Sequence, residues 1–179
     1  MRETYLGLGT NIGDREKNLI EALKRISALC PILDYSSLYN TAPVGYTEQA
    51  DFLNMVVKID ASGFSPHELL RSVKSIERSM GRKDTVRWGP RVIDIDILYS
   101  SDIQWCSEQL SIPHKELLNR LFVLVPLSEL TGSLTFEGDT VHFENRIREL
   151  TKDDDRDVDQ TVTLYKSRGE LEIHGQRLR

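Results

Sequence analysis

The sequence predicts an α+β domain, a mostly antiparallel sheet with helices packed on it. Apolar runs of strand length and amphipathic runs of helix length follow one another as β-α-β-β-α-β. Neighbouring strand segments are joined by short, hairpin-like connections. Strand and helix alternate too rarely for a doubly wound parallel sheet.

Tyr5 to Gly9 is a short apolar run and reads as a buried strand. Gly9-Thr10-Asn11-Ile12-Gly13-Asp14 is turn chemistry, with Asp14 a candidate helix N-cap. Leu19, Leu23, Ile26 and Cys30 recur at helical spacing, flanked by Ala22 and Leu29, and Pro31 marks the stop. Leu33 to Thr41 reads as a strand. Residues 42–51 hold Pro43 and Gly45 without apolar periodicity and read as a loop. Phe52 to Asp60 reads as the next strand. Ser65, Pro66 and Glu68 supply a cap, a first-turn proline and a capping-box acid. The helix they open carries Leu69, Val73, Ile76 and Met80 on one face, with Gly81 as its stop. Residues 82–91 read as a loop and Val92 to Leu98 as a strong strand. Pro113 to Asn119 reads as a short helix, and Leu121 to Leu127 is an apolar stretch. Thr140 is a candidate cap for a helix with Phe143, Ile147 and Leu150 inward.

The chain has 179 residues with 23 basic and 28 acidic side chains, a formal charge of −5. That length supports one domain with a sizeable core. Residues 1–150 are expected to form it, since no linker or internal repeat interrupts them. Residues 151–179 differ: Asp153, Asp154, Asp155, Asp157 and Asp159 make an acidic spacer, and residues 161–174 read as a β-hairpin tail. A lone hairpin is marginal in water, so it docks on the domain, pairs with another chain or frays. Two cysteines, Cys30 and Cys106, cannot build a disulfide framework or a cysteine-rich zinc site. No signal-peptide pattern or membrane-spanning apolar stretch is visible, so a cytoplasmic protein is expected, without a membrane partner. Net acidity argues against coating nucleic acid.

The most informative segment is Arg87-Trp88-Gly89-Pro90-Arg91-Val92-Ile93-Asp94-Ile95-Asp96-Ile97-Leu98. On a strand, Ile93, Ile95 and Ile97 share one face and Asp94 and Asp96 the other, with Cα atoms about 7 Å apart. Like charges at successive same-face positions are costly. The plain reading is the wet side of an amphipathic strand, but Asp is a poor strand former. The sharper reading is a cation site, because paired carboxylates suit Mg²⁺ shared with phosphate oxygens. Arg71, Lys74, Arg78, Arg82, Lys83, Arg87 and Arg91 crowd the approach, opposed there by Glu77 and Asp84. Arg71, Lys74 and Arg78 form a helix stripe that reads as a wet face. Arg82, Arg87 and Arg91 have the guanidinium forks that polyphosphates favour. A phosphate-binding Gly-x-x-x-x-Gly-Lys-Ser/Thr loop and the dinucleotide fingerprint are both absent. Gly7, Gly9 and Gly13 therefore read as packing and turn glycines. His67, His142 and His174 read as surface residues. His114 alone reads as a helix-start residue.

These segments together resemble one family. Gly9-Thr10-Asn11-Ile12-Gly13-Asp14, Thr41-Ala42-Pro43-Val44-Gly45, Asp51-Phe52-Leu53-Asn54, Arg87 to Asp96, Ile112-Pro113-His114 and Arg120-x-Phe122-Val123-Leu124-x-Pro126-Leu127 stand in the order found in 6-hydroxymethyl-7,8-dihydropterin pyrophosphokinases of folate biosynthesis. The resemblance covers about residues 4–150. It implies a ferredoxin-like fold. It also implies transfer of the β,γ-pyrophosphoryl group of ATP to the pterin hydroxymethyl oxygen, releasing AMP, with two Mg²⁺ ions on Asp94 and Asp96. By the same resemblance, Arg82 and Arg91 join the two aspartates as catalytic residues. Glu77, Arg82, Arg87, Trp88, Arg91, Leu98, Ser111, His114 and Arg120 form the ATP side. Thr41, Ala42, Pro43, Val44, Gly45, Phe52, Asn54, Trp88 and Phe122 form the pterin side. The implied partners are these two small molecules, and a monomer is expected. The tail is a candidate contact to a second copy or to a neighbouring folate enzyme.

This sequence departs from the family pattern at Phe52, where Tyr is common, at Lys115, where an aromatic or proline is common, and at Gln109, where a basic residue can occur. Lys83 is an uncertain match for a family lysine. An RNA-binding domain of the same fold is the alternative from another class. It would use the basic stretch 71–91, but needs aromatics where this strand carries Asp94 and Asp96. A third reading is a degenerate relative serving as a scaffold, against which stand the retained Asp94, Asp96, Trp88, His114 and Arg120.

Overall fold

A computed structural model describes residues 1–82, 89–136, 138–152 and 161–171. The elements run β1 (Glu3–Thr10), α1 (Arg15–Ser27), β2 (Ile32–Tyr35), β3 (Leu38–Thr41), β4 (Phe52–Asp60), α2 (Pro66–Ser79), β5 (Asp94–Ser100), β6 (Trp105–Cys106), β7 (Ser111–Ile112), α3 (Leu121–Ser128), β8 (Ser133–Phe136), β9 (Asp139–His142), α4 (Phe143–Lys152) and β10 (Val162–Lys166). Among the described residues the main sheet has six strands in the order β10-β3-β4-β1-β5, with β2 also on β4. Every pairing in it is antiparallel. With β2 and β3 taken as one interrupted strand, this is the ferredoxin-like βαββαβ arrangement.

The strand expected over residues 33–41 is broken at Ser36 and Ser37. The cause is local. The Ser36 hydroxyl accepts from the Val56 amide at 2.9 Å and donates to the Ser37 carbonyl at 2.8 Å. The Ser37 amide and hydroxyl donate to the Glu129 carboxylate at 2.9 and 3.0 Å. Side chains here satisfy backbone groups that a continuous ladder would have paired.

The two sheet faces differ. Leu6, Leu8, Leu53, Val57, Ile93, Ile95 and Ile97 pack with α1 and α2 in the main core. Tyr5, Val56 and Leu98 face the other way and pack with Leu121, Leu124 and Leu127 of α3 and with Phe143 and Leu150 of α4. The second layer covers only part of that face.

Both long helices start as expected. Asp14 accepts from the Lys17 amide at 3.1 Å. Ser65 and Glu68 form a reciprocal capping box. Helix α1 ends at Ser27, short of Pro31, and Cys30 is buried in the turn that follows. Helix α2 ends in a Schellman motif: the Gly81 amide reaches the Arg78 carbonyl and the Arg82 amide the Glu77 carbonyl, each at 3.0 Å. Gly81 adopts φ +91, which a side chain would strain. This stop turns Arg82 toward β5.

Several expectations are corrected. The strand expected at residues 92–98 runs instead from Asp94 to Ser100. The helix expected over residues 113–119 is one 3-10 turn, Leu117–Asn119, while the apolar stretch beyond it is α3. Thr140 lies in β9, its hydroxyl 3.2 Å from that of Thr135, and does not cap α4. Its helix nevertheless buries Phe143 and Leu150. In the tail, no strand among the described residues returns on 161–166. β10 docks along β3, and a 3-10 turn follows at Arg168–Glu170. The acidic spacer from Asp153 and the end of the expected hairpin lie outside the described residues. Both cysteines are free thiols. Among the described residues no helix is long and apolar enough to cross a membrane.

Candidate active site

Register dictates the site. On the partly covered face, Gly9 stands between Asn54 of β4 and Asp94 of β5; one rung on, Gly7 stands between Val56 and Asp96. The central strand therefore presents no side chain there, and a slot opens over it. A Cβ added at Gly9 would lie 2.6 Å from the Asn54 Oδ1, and one at Gly7 would lie 3.3 Å from Leu98. The resulting cleft has a volume of about 170 Å³. Its walls include Thr41, Ala42, Val44, Gly45, Phe52 and Asn54 on one side and Arg91, Asp94, Asp96 and Leu98 on the other, with Arg120, Phe122 and Val123 from the start of α3.

The first wall is neutral and already bonded. The Asn54 amide donates to the Thr41 hydroxyl at 2.6 Å, and both residues are buried. The Asn54 carbonyl oxygen is thus aimed over Gly9. The loop beyond Thr41 is tied by Asn11. Its amide donates to the Gln49 side chain at 2.9 Å and to the Ala50 carbonyl at 3.0 Å, and its oxygen accepts from the Arg91 amide at 2.7 Å. Asn11 therefore couples the two walls. Guanidiniums sit near both aromatics: Arg91 is 5.9 Å from the Phe52 ring and Arg120 is 5.6 Å from the Phe122 ring.

The second wall is charged and neutralised from within. Asp94, with a side chain 22% exposed, accepts from Arg82 and, at 2.6 Å, from Arg91. Lys74 projects from α2 to within 3.9 Å of Asp94 and 3.8 Å of Asp96. Beneath lies Glu77, only 2% exposed. It accepts from Lys74 at 2.8 Å, from Arg82 at 2.7 Å and from the Ile95 amide at 2.7 Å. Lys74 also donates to the Ile95 carbonyl at 3.2 Å. Because β5 is the outer strand among the described residues, these two side chains close its open edge.

The carboxyls are driven apart in acidity. Burial works to raise Asp94, but Lys74, Arg82 and Arg91 outweigh it and hold its carboxyl below the ordinary range. Burial and then the Asp94 charge push Asp96 up, against Lys74, His114 and Arg120. Burial also pushes Glu77 up despite Lys74, the Ile95 amide and Arg82. His114 is pinned by its amide to the Leu98 carbonyl at 2.8 Å, and its Nδ1 accepts from the Glu116 amide at 3.2 Å. Burial lowers its pKa against the opposing charge of Asp96, and with Nδ1 accepting, a neutral ring carries its proton on Nε2.

Thus, of the residues singled out from the sequence, Thr41, Ala42, Val44, Gly45, Phe52, Asn54, Phe122, Arg91, Asp94, Asp96, Leu98 and Arg120 converge on one cleft. Pro43 is in the same loop but not on the wall. Arg82 and Glu77 lie behind the acidic pair. The Ser111 hydroxyl is turned away to the Pro113 carbonyl at 2.9 Å, so the structure does not bring it to the cleft. Arg87, Trp88 and Lys83 lie outside the described residues. Four contributors were missed. Lys74 read as a wet face, though its helical position beside Glu77 was the available signal. Gly7 and Gly9 read as packing glycines. Asn11 read as turn chemistry, and nothing in its spacing announced the link to Arg91.

Asp94 and Asp96 make a donor set of two carboxylates, and among the described residues no cluster of three metal-binding side chains exists. Two carboxylates with open positions suit Mg²⁺ that also takes phosphate oxygens. The residues fit that ion, provided Asp94 exchanges an arginine for it.

A ferredoxin-like sheet with a ligand-sized cleft on its open face defines the class: a small α+β domain that binds its ligand across the central strand. Similarity sharpens this. A model described as 7,8-dihydro-6-hydroxymethylpterin-pyrophosphokinase (HPPK) matches residues 5–132. The 2-amino-4-hydroxy-6-hydroxymethyldihydropteridine pyrophosphokinase of Bacillus subtilis is 47% identical over 136 residues, covering 75% of this chain and 81% of that one. The folate synthesis bifunctional protein, mitochondrial, of Arabidopsis thaliana is 46% identical over 141 residues, 78% of this chain but 25% of that longer protein. Plasmodium falciparum wild-type HPPK-DHPS superposes with a TM-score of 0.64 over 85% of this chain and 45% of that chain; at 15% identity it speaks for the fold alone. The chain belongs to the HPPK family, the pyrophosphokinases of folate biosynthesis.

Proposed function

We propose that the cleft binds 6-hydroxymethyl-7,8-dihydropterin at its neutral end and ATP-Mg²⁺ at its charged end, and that the chain transfers the β,γ-pyrophosphoryl group to the hydroxymethyl oxygen. The observation that carries this is the pairing of Asn54 and Asp94 on opposite sides of Gly9 in one rung of the sheet. A flat heterocycle over Gly9 would meet the Asn54 amide at one edge and present its side arm toward the carboxylates.

In the reaction the hydroxymethyl oxygen forms a bond to the β-phosphorus, and the bond from that phosphorus to the bridging α,β-oxygen breaks. AMP leaves with the bridging oxygen, and the hydroxyl proton passes to solvent. Asp94 and Asp96 would hold two Mg²⁺ ions, whose bound charge acidifies the alcohol and offsets phosphate charge. Arg91 on the cleft wall, and Arg82 behind it, would pair with phosphate oxygens on exchanging Asp94 for them. Arg120, at the start of α3, and the Nε2–H of His114, held against Leu98, would add donors. Phe52 and Phe122 offer ring faces to the heterocycle. Asn54 and Thr41 read its polar edge. Bringing the two substrates together on one rigid sheet supplies positioning, which accounts for a large part of such catalysis.

The test is Asp96→Ala in the full chain. AMP release in the presence of the pterin and Mg²⁺ is expected to fall by about a thousandfold or more. Unchanged turnover would remove the acidic pair from the reaction.

A further inference from the structure

The family match ends at residue 132, yet the described chain continues and returns to the sheet. Residues 161–171 run along the outside of β3, the strand that ends in Thr41. Val162 pairs with Thr41, Thr163 with Asn40 and Leu164 with Tyr39. Just beyond the ladder, the Ala42 amide donates to the Thr161 carbonyl at 3.3 Å. The segment is fastened further along. Lys166 pairs with Glu16 of α1 at 2.5 Å. The Arg168 amide donates to the Ser37 hydroxyl at 3.0 Å, and its guanidinium pairs with Asp34 at 3.3 Å. Leu171 is 2% exposed and packs in the main core. Val162 packs against the second core.

We propose that residues 161–171 are a positioning strap for the pterin-side wall. They hold β3 and the first residue of the Ala42–Gly45 loop, and thereby set affinity for the heterocyclic substrate. This rests on the reading of the neutral end given above. The physical logic is preorganisation. Without the strap, β3 is an edge strand of four residues, and the Ala42 amide loses its carbonyl partner. Such an edge samples more conformations, and the substrate must then order the wall on binding. The charged wall stands on β5 and α2, and β5 lies at the opposite end of the strand order from the strap. A strap acting on the wall therefore separates the two substrates, whereas a strap that only stabilises the fold does not.

The experiment compares the full chain with Thr163→Pro and Leu171→Ala. It measures KM for each substrate, kcat, and amide exchange at Ala42. The expected result is a rise of about fivefold in KM for the pterin, with KM for ATP and kcat changed by less than about twofold, and faster exchange at Ala42. If both KM values rise together, or if the pterin KM stays fixed while Ala42 exchanges faster, the strap is a stabilising edge and the inference fails. Should Thr163→Pro lose its folded circular dichroism, Leu171→Ala and Lys166→Met decide by the same split. A wild-type chain without pterin-dependent AMP release would instead overturn the reading of the cleft on which the strap depends.

Discussion

The two walls of the cleft solve the problem of waiting for a ligand in opposite ways. The β3–β4 wall is assembled from neutral groups whose internal bonds need not break. Asn54 is set by Thr41, leaving its oxygen directed into the slot. The β5–α2 wall is assembled from charges, and these have already found one another: Arg82 and Arg91 on Asp94, Lys74 between Asp94, Asp96 and Glu77. A neutral pocket can be preformed at little cost, because its polar groups satisfy each other without consuming the recognition edge. A site for a highly charged ligand cannot leave its charges bare in a partly buried setting. It stores them as internal pairs and exchanges partners when the ligand arrives.

This contrast can be broken at Gly9, which lies between the walls. Gly9→Ala places a Cβ 2.6 Å from the Asn54 Oδ1. Asn54 must swing away from Thr41, and the slot narrows. The expected loss in kcat/KM for the pterin is about a hundredfold, from misplacement on an intact fold, read from steady-state kinetics beside a thermal melt. An active variant with wild-type kinetics would show that the slot over Gly9 is not where the substrate lies.

The charged wall is probed by Lys74→Met. Loss of this ammonium takes one of the partners of the buried Glu77, leaving Arg82 and the Ile95 amide, and removes a cation 3.8 Å from Asp96. The ligand-free protein is expected to lose about 1–3 kcal/mol of stability in urea. No loss would mean that the charges of this wall are neutralised by solvent rather than by one another.

The smallest effect concerns the helix that presents Lys74 and Glu77. The Glu68 carboxyl in its capping box is held below the ordinary range by the hydroxyl and amide of Ser65. A depressed carboxyl pKa stabilises above the unfolded value of about 4.3 and ceases to do so as pH falls through the folded value. Glu68→Gln is therefore expected to flatten the acid limb of the stability profile below that pH, with no change near neutrality in its slope. An acid limb identical to wild type would remove the box from the pH response.

The legible and illegible parts of the molecule divide by range. Helix α2 could be read end to end, because Ser65, Pro66, Glu68 and Gly81 act on groups a few residues away. The acidic pair could be read because strand alternation is local as well. What stayed hidden depended on contacts across the chain. Ser36 and Ser37 break a strand through Val56 and Glu129, which no local pattern signals. Lys74 looked solvated because its partners other than Glu77 lie on β5, about twenty residues on. Gly7 and Gly9 gained meaning only when register set them between Asn54 and the aspartates. The tail strand was visible as a strand, but its partner β3, more than a hundred residues earlier, was not. The family resemblance named most of the side chains that line the cleft, and Ser111 is not among the lining residues.

The most direct measurement is of AMP formed from ATP and Mg²⁺ by the full chain, with and without 6-hydroxymethyl-7,8-dihydropterin. The expected result is AMP only when the pterin is present, one molecule for each pterin consumed. AMP release that ignores the pterin, or release of ADP in its place, would contradict a cleft whose two ends hold two different substrates for one transfer.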